Sequence, residues 1–206
     1  NGFLSYRSHV WTDTDPDLCG MLNFVFDDDM CFERYAEHAL DVPMYFVQRD
    51  GGFIDASGQS FRDFVAGRLP ALPGEHPTLK DWDDHLTTLF PEIRMKRYIE
   101  MRGADGGPWG RLCALPALWV GLLYDSIALD QAEAIANELA VGDLERLRAD
   151  VPRTGLATPA GARTLHEVAR DVLAIAAGGL KRRAVKGIHD PDERSYLTVL
   201  NAIVES

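Results

Sequence analysis

Two opposite charges stand two residues apart in "KRYIEMRGADGGPW", the stretch from Lys96 to Trp109. A carboxylate such as Glu100 offers hard oxygen ligands to a divalent cation, and a guanidinium such as Arg102 can grip a carboxylate or phosphate through two parallel hydrogen bonds. The glycines of "GADGGP" have no Cβ, so the backbone can turn tightly and a ligand can come close. Read with a period of two as one strand, Ile93, Met95, Arg97, Ile99 and Met101 point to one face, and Arg94, Lys96, Tyr98, Glu100 and Arg102 to the other. The first face would cover a core and the second would line a cleft. The plain alternative is a solvated sheet face, on which such charges pair weakly. Pro91 and the cluster Gly103, Gly106 and Gly107 favour a strand over a helix.

Other elements must hold that strand. "YRSHVW" from Tyr6 and the later "FVF" are strand candidates, and "PMYFVQRDGGFIDAS" predicts a hairpin turning at Asp50-Gly51-Gly52. Cys31 to Leu40 has apolar residues at helical spacing, with Asp27, Asp28 and Asp29 near its start, where acidic groups complement the helix dipole. Ser60 is placed to cap a short helix, "FRDFVAG", closed by Gly67. Thr78 precedes another, "LKDWDDHLTTLF", stopped by Pro91. Beyond residue 110 the chain turns helical, in "WGRLCALPALWVGLLYD" with a start or kink near Pro116, "DQAEAIANELA", "GDLERLRADV", "TLHEVARDVLAIAAGGLKRRAVK" and "PDERSYLTVLNAIVES". The expected class is α+β with an antiparallel sheet, because hairpins and not βαβ units join the strands. Residues 1–110 would belong to the sheet domain and 111–206 to a helical region packed on it.

Composition narrows the function. A net charge of −11 over 206 residues argues against nucleic acid, which is bound by clustered Lys and Arg. The apolar run "LCALPALWVGLLY" is broken by a proline and is shorter than the roughly 20 residues a membrane helix needs. No basic, cleavable leader is visible at the start, and three cysteines (Cys19, Cys31, Cys113) in no metal-like spacing suggest a reducing compartment. A cytoplasmic location is therefore expected. The chain opens on Asn rather than Met, and reads as an excerpt that begins in mid-domain.

"LDVPMYFV", "SFRDFVAGRLPALPGEHPT", "DW..HLTT.FPE.R.KRYIEMRGADGGPW" and "RLCALPALWVGLLYD" together resemble the glutamate–cysteine ligases of the plant and proteobacterial type. The resemblance runs almost continuously from Arg7 to Asp125 and more loosely through Val151 to Pro159. It implies a fold related to glutamine synthetase, in which a curved antiparallel sheet forms a funnel with helices outside. It implies ATP and Mg²⁺, activation of the γ-carboxylate of glutamate as an acyl phosphate, and attack by the cysteine amine to give γ-glutamylcysteine, the first step of glutathione biosynthesis. Such chemistry needs carboxylates for metal ions and arginines for the transferring group. Carried over by position, Glu100 resembles the metal-binding glutamate of the family's Glu-x-Arg strand, and Arg102 its phosphate- or substrate-contacting partner. Arg7 matches the arginine expected on the glutamate carboxylate, and Tyr45 an aromatic of the acceptor cysteine pocket. Trp109 would wall the site or anchor the core. His9, on the same strand face as Arg7, would be a supporting group or a plain sheet histidine, and Asp105 would hydrogen-bond its own turn.

Departures from the family matter as well. Its N-terminal half, with the glutamate-rich strand that supplies most metal ligands, is absent, so the chain resembles the C-terminal half of a ligase and is expected to need that missing half as partner. Leu18-Cys19 stand where the family usually has Arg-Thr, Asn23 where it has Pro, and Met30-Cys31 where it has Phe-Gly. Ala56 and Ala71 occupy the positions of a plant disulfide switch, which is therefore missing; Cys113 matches a family cysteine and is expected to be a buried small hydrophobe. Two alternatives stay open, namely a ligase that joins glutamate to another amine, and a non-catalytic remnant or interaction module.

Overall fold

A computed structural model describes residues 2–185 and 192–206. Its helices are α1 (Tyr6–Trp11), α2 (Phe32–Asp41), α3 (Phe61–Val65), α4 (Leu79–Thr87), α5 (Ala114–Leu123), α6 (Ser126–Ala136), α7 (Val141–Thr154), α8 (Leu165–Arg183) and α9 (Thr198–Val204). The strands are short: β1 (Cys19–Gly20), β2 (Phe46–Arg49), β3 (Gly52–Asp55), β4 (Phe90–Pro91), β5 (Ile93–Met95), β6 (Ile99–Met101), β7 (Pro159–Ala160) and β8 (Arg163–Thr164). Helix and strand are mixed, as expected for an α+β chain. The described strands pair only two by two, however, and β1 lies parallel to β4, while the other three pairs are antiparallel. Lys186 and Pro191, the outer ends of two expected helical segments, lie outside the described residues.

The chain forms two units. One is the single segment Asp13–Ala104; the other joins the residues up to Thr12 with Asp105–Ser206. The opening residues thus belong with the helical part, and the divide falls at Thr12 and Ala104 instead of once near residue 110.

In the Asp13–Ala104 unit, local signals set the elements. Asp50 and Gly51 both have positive φ, 50° and 78°, which gives β2 and β3 the tight turn that suits their twist. The Ser60 hydroxyl accepts the Asp63 N–H and caps α3, and Gly67 closes it with φ 71°. Thr78 and Asp81 cap α4 reciprocally. Met44, Val47, Ala56, Phe61, Phe64 and Leu69 form one core cluster, and Leu18, Ala39, Val42 and Leu89 a second; Trp82 packs against both. The buried His85 stacks on Phe61 and is tied to the Ala39 carbonyl at 2.8 Å.

In the helical unit, α5 and α8 cross at Gly121 and Gly179, where the two backbones touch. Ala117, Leu122, Ala176, Leu180 and Leu197 are buried around that crossing.

Three expectations are corrected. "YRSHVW" is α1, a helix capped by Ser5, and its chain entry is fixed when the Leu4 and Ser5 N–H groups donate to the carbonyl of Pro152 on α7. "FVF" lies in a 3-10 turn, Asn23–Phe26. The 93–102 stretch is not one strand but a hairpin, β5 and β6, folded at Lys96, Arg97 and Tyr98.

Candidate active site

The β5–β6 hairpin puts Arg94 directly opposite Glu100. Because partner positions have the same parity, the even-numbered residues still share a face after the chain folds back. The burial of the two faces is the reverse of the expected one: Ile93 and Ile99 are 48% and 56% exposed, whereas Arg94 is 7% exposed. The protected face of this hairpin carries charge.

A buried guanidinium requires partners, and Arg94 has them. Its Nη1 donates to the carbonyl oxygens of Thr87 at 2.7 Å and Leu89 at 3.0 Å. These carbonyls lie at and just beyond the C-terminal end of α4, where helix carbonyls lack helical donors. Its Nε and Nη2 donate to Glu100 Oε2 at 2.8 and 2.7 Å. Arg102 Nη1 reaches the other oxygen, Oε1, at 3.3 Å. Both guanidiniums lie over the Phe90 ring, 5.9 Å and 5.4 Å from its centroid. Partial burial pushes the Glu100 carboxyl up, but Arg94, with Arg102 and Lys96, more than offsets this and holds it below the usual carboxylate range. The Arg102 N–H donates to the Glu92 carbonyl at 2.8 Å, and a Cβ added to Gly103 would stand 3.1 Å from Glu92 Oε2. Gly103 is thus a place where a carboxylate lies against bare backbone. The Tyr35 hydroxyl accepts the Met95 N–H at 3.2 Å and pins the other strand.

Of the five residues singled out from the sequence, Glu100 and Arg102 are brought together. Arg7 sits in the helical unit, on α1. Its guanidinium lies over the Trp11 ring at 5.1 Å, and its Nε is 4.0 Å from Asp105 Oδ1. Asp105 also accepts from Ser5 Oγ at 3.3 Å, so it bonds across to α1's cap and is more than a turn residue. Beside it opens a cavity of about 520 Å³ lined by Ser5, Ser8, Leu118, Leu173 and Leu200. His9, two positions on in a helix rather than a strand, turns to a different face from Arg7 and stacks on Phe3 at 3.9 Å. Tyr45 lies in the Asp13–Ala104 unit, just before β2, 39% exposed, with its carbonyl accepting the Ala56 N–H. Trp109 opens a 3-10 turn in the helical unit and is 87% exposed, so it is no core anchor. Cys113 is exposed, which corrects its expected burial. Arg94 is the residue that period-two reading placed on the right face but left without a role.

As a metal site, the hairpin offers one hard oxygen donor group. Among the described residues no group of three or more His, Cys, Asp or Glu side chains converges as a metal site. Glu100 suits Mg²⁺ in chemistry, as a single carboxylate ligand, and a complete sphere would draw its other oxygens from elsewhere.

The sequence profile of glutamate-cysteine ligase family 2 (GCS2) matches residues 1–206. The chain is similar to the chloroplastic glutamate–cysteine ligases of Brassica juncea, 58% identical over 188 residues, and of Medicago truncatula, 58% identical over 206. That of Arabidopsis thaliana is 54% identical over 206 residues. These matches cover 91%, 100% and 100% of the chain, but 37%, 39% and 38% of the relatives. The chain therefore spans about two fifths of the length of these proteins. Their names place the relatives in the chloroplast, which overturns the expectation of a cytoplasmic protein. With a profile match from end to end and relatives above half identity, the chain belongs to glutamate-cysteine ligase family 2.

Proposed function

We propose that this chain supplies part of the active site of an ATP-dependent glutamate–cysteine ligase working in plastids, and that it forms the C-terminal part of that enzyme. The observation that carries the reading is the Arg94, Glu100 and Arg102 network on the protected face of a short hairpin, within the stretch that resembles the family's Glu-x-Arg strand. The architecture we favour is related to glutamine synthetase, with the hairpin's charged face belonging to a larger sheet that the rest of the protein completes. In the reaction, a γ-carboxylate oxygen of glutamate attacks the γ-phosphorus of ATP and ADP leaves. The cysteine amine then attacks the acyl carbon, phosphate leaves, and the amine loses a proton. Arg102 neutralises charge on the transferring phosphoryl group, where a positioned cationic donor is most effective. Glu100 supplies one carboxylate ligand to Mg²⁺, which when bound draws charge from the phosphates. Carried over from the family by position, Arg7 takes the role of binding the glutamate carboxylate, Tyr45 that of an aromatic of the acceptor cysteine pocket, and Trp109 that of a wall residue.

The test is Mg-ATP-dependent γ-glutamylcysteine formation by the full-length protein, followed by mass spectrometry. Product is expected only with glutamate, cysteine and Mg-ATP together. Glu100→Gln should lower kcat/KM by about 100-fold or more, as loss of a charge-stabilising group does elsewhere. Product formation with another amine but not with cysteine would replace the acceptor; a Glu100→Gln enzyme with unaltered Mg²⁺ dependence would remove the metal role.

A further inference from the structure

We infer that Arg94 is a positioning residue of this site: it locks the Glu100 carboxylate in one orientation, engaging Oε2 and presenting Oε1 toward Arg102 and the bound ligand. The inference rests on the site proposed above, and goes beyond it by giving a role to a residue that does not touch substrate.

The geometry separates two halves of one side chain. Nη1 is spent on the Thr87 and Leu89 carbonyls, which fixes the guanidinium plane to the end of α4. Nε and Nη2, the remaining edge of the same rigid fork, both fall on Oε2 of Glu100. A planar guanidinium held at one edge has no rotational freedom left at the other, so the carboxylate is oriented by a helix end through one side chain. Oε1 carries the longer, 3.3 Å bond from Arg102. A lysine could carry the charge, but it would present a single nitrogen and could not hold both carbonyls and the carboxylate edge at once. Capping a helix end would not by itself need a residue 7% exposed with its charge aimed at a half-buried carboxylate.

The experiment uses the full-length ligase and four proteins: parent, Arg94→Lys, Glu100→Gln and the double variant. Two quantities are read, steady-state kcat and KM for each substrate, and Mn²⁺ affinity by electron paramagnetic resonance, which needs no turnover. Residues that orient a metal ligand typically change affinity or activity by 10–100-fold when altered. Arg94→Lys should therefore weaken Mn²⁺ binding and lower kcat by about 10-fold, with KM for cysteine unchanged. In the Glu100→Gln background the same substitution should change either quantity less than about twofold, because Arg94 acts only through Glu100. An equal loss in both backgrounds, or an unchanged Mn²⁺ affinity in Arg94→Lys, overturns the inference and leaves the site reading intact. A Glu100→Gln protein that binds Mn²⁺ as the parent does overturns the site reading itself. Should Arg94→Lys not accumulate as folded protein, Arg94→Gln, which keeps N–H donors for the two carbonyls, takes its place. If neither folds while Glu100→Ala does, Arg94 is purely structural and the inference fails.

Discussion

Replacing Gly121 by alanine tests the close approach of α5 and α8. A Cβ there would stand well under 3 Å from the Ala176 carbonyl oxygen and 3.0 Å from its Cα; at Gly179 it would press still closer on the carbonyl oxygen of Gly121. Both obstacles are backbone, so no rotamer change relieves them and the helices must part. Alanine returns about 1 kcal/mol of helix propensity. Against that, opening the α5–α8 contact by roughly 0.5–1 Å forfeits about a quarter to a half of the dispersion energy across it. Overpacking of this kind costs about 1–3 kcal/mol and at times more, and Ala176 and Leu180 are fully buried beside it. Because both obstacles are backbone, the upper end applies: about 3 kcal/mol less the roughly 1 kcal/mol returned leaves a net loss of about 2 kcal/mol for Gly121→Ala, and a larger one for Gly179→Ala. At this chain length that lowers Tm by roughly 4–8 °C. Gly142 on α7 is the control: a Cβ there meets nothing within 4 Å, so Gly142→Ala should stabilise by about 0.5–1 kcal/mol. Urea and thermal unfolding of the three variants decide the matter. A Gly121→Ala protein as stable as the parent would refute the argument that backbone contact, not side-chain packing, sets this crossing.

Two further outcomes follow from single side chains. Burial pushes the Asp81 carboxyl up, but Arg49 and the Thr78 N–H and hydroxyl more than offset it and hold it below the ordinary 3.8. Its stabilising effect is thus fully present above that value and is lost as pH falls through the lower, folded one. Asp81→Asn should cost about 2 kcal/mol at pH 7 and flatten the acid side of the stability curve, measured by urea unfolding from pH 2.5 to pH 7; an unchanged curve would remove the pair from the account. Ala184 ends α8 with φ 53°, a left-handed conformation that glycine adopts more readily. Ala184→Gly should therefore raise stability by about 1 kcal/mol, read as a higher midpoint in the same unfolding experiment.

What the sequence disclosed depended on how local the cause was. Ser60, Thr78 and Asp50-Gly51 act within four residues of themselves, and the elements they start or turn could be read directly. α1 could not, because Tyr, Val and Trp favour strands while its entry is fixed by Pro152, far along the chain. The β5–β6 turn was hidden for a different reason: Lys96, Arg97 and Tyr98 carry no glycine, asparagine or proline to announce it. Glu100 and Arg102 stood out because charges two apart in an apolar run are unusual. Arg94 did not, since its meaning lies in carbonyls at the end of α4 that spacing along β5 does not reveal.

The helical unit is built from both sides of an uninterrupted segment, Asp13–Ala104, and this imposes an order of events on a ribosome. The intervening segment can pair its own hairpins as soon as it emerges. The first helix cannot settle until its partner is made: Arg148 bonds the carbonyl of Trp11 from 137 positions away. At about 5–20 residues per second, α1 waits for on the order of ten seconds. Throughout that interval α1 is without the helix it packs beside, and the Leu4 and Ser5 N–H groups are without the Pro152 carbonyl. In nascent chains stalled between residues 12 and 148 the opening residues therefore stay open to proteases, and their protection should coincide with completion of α7.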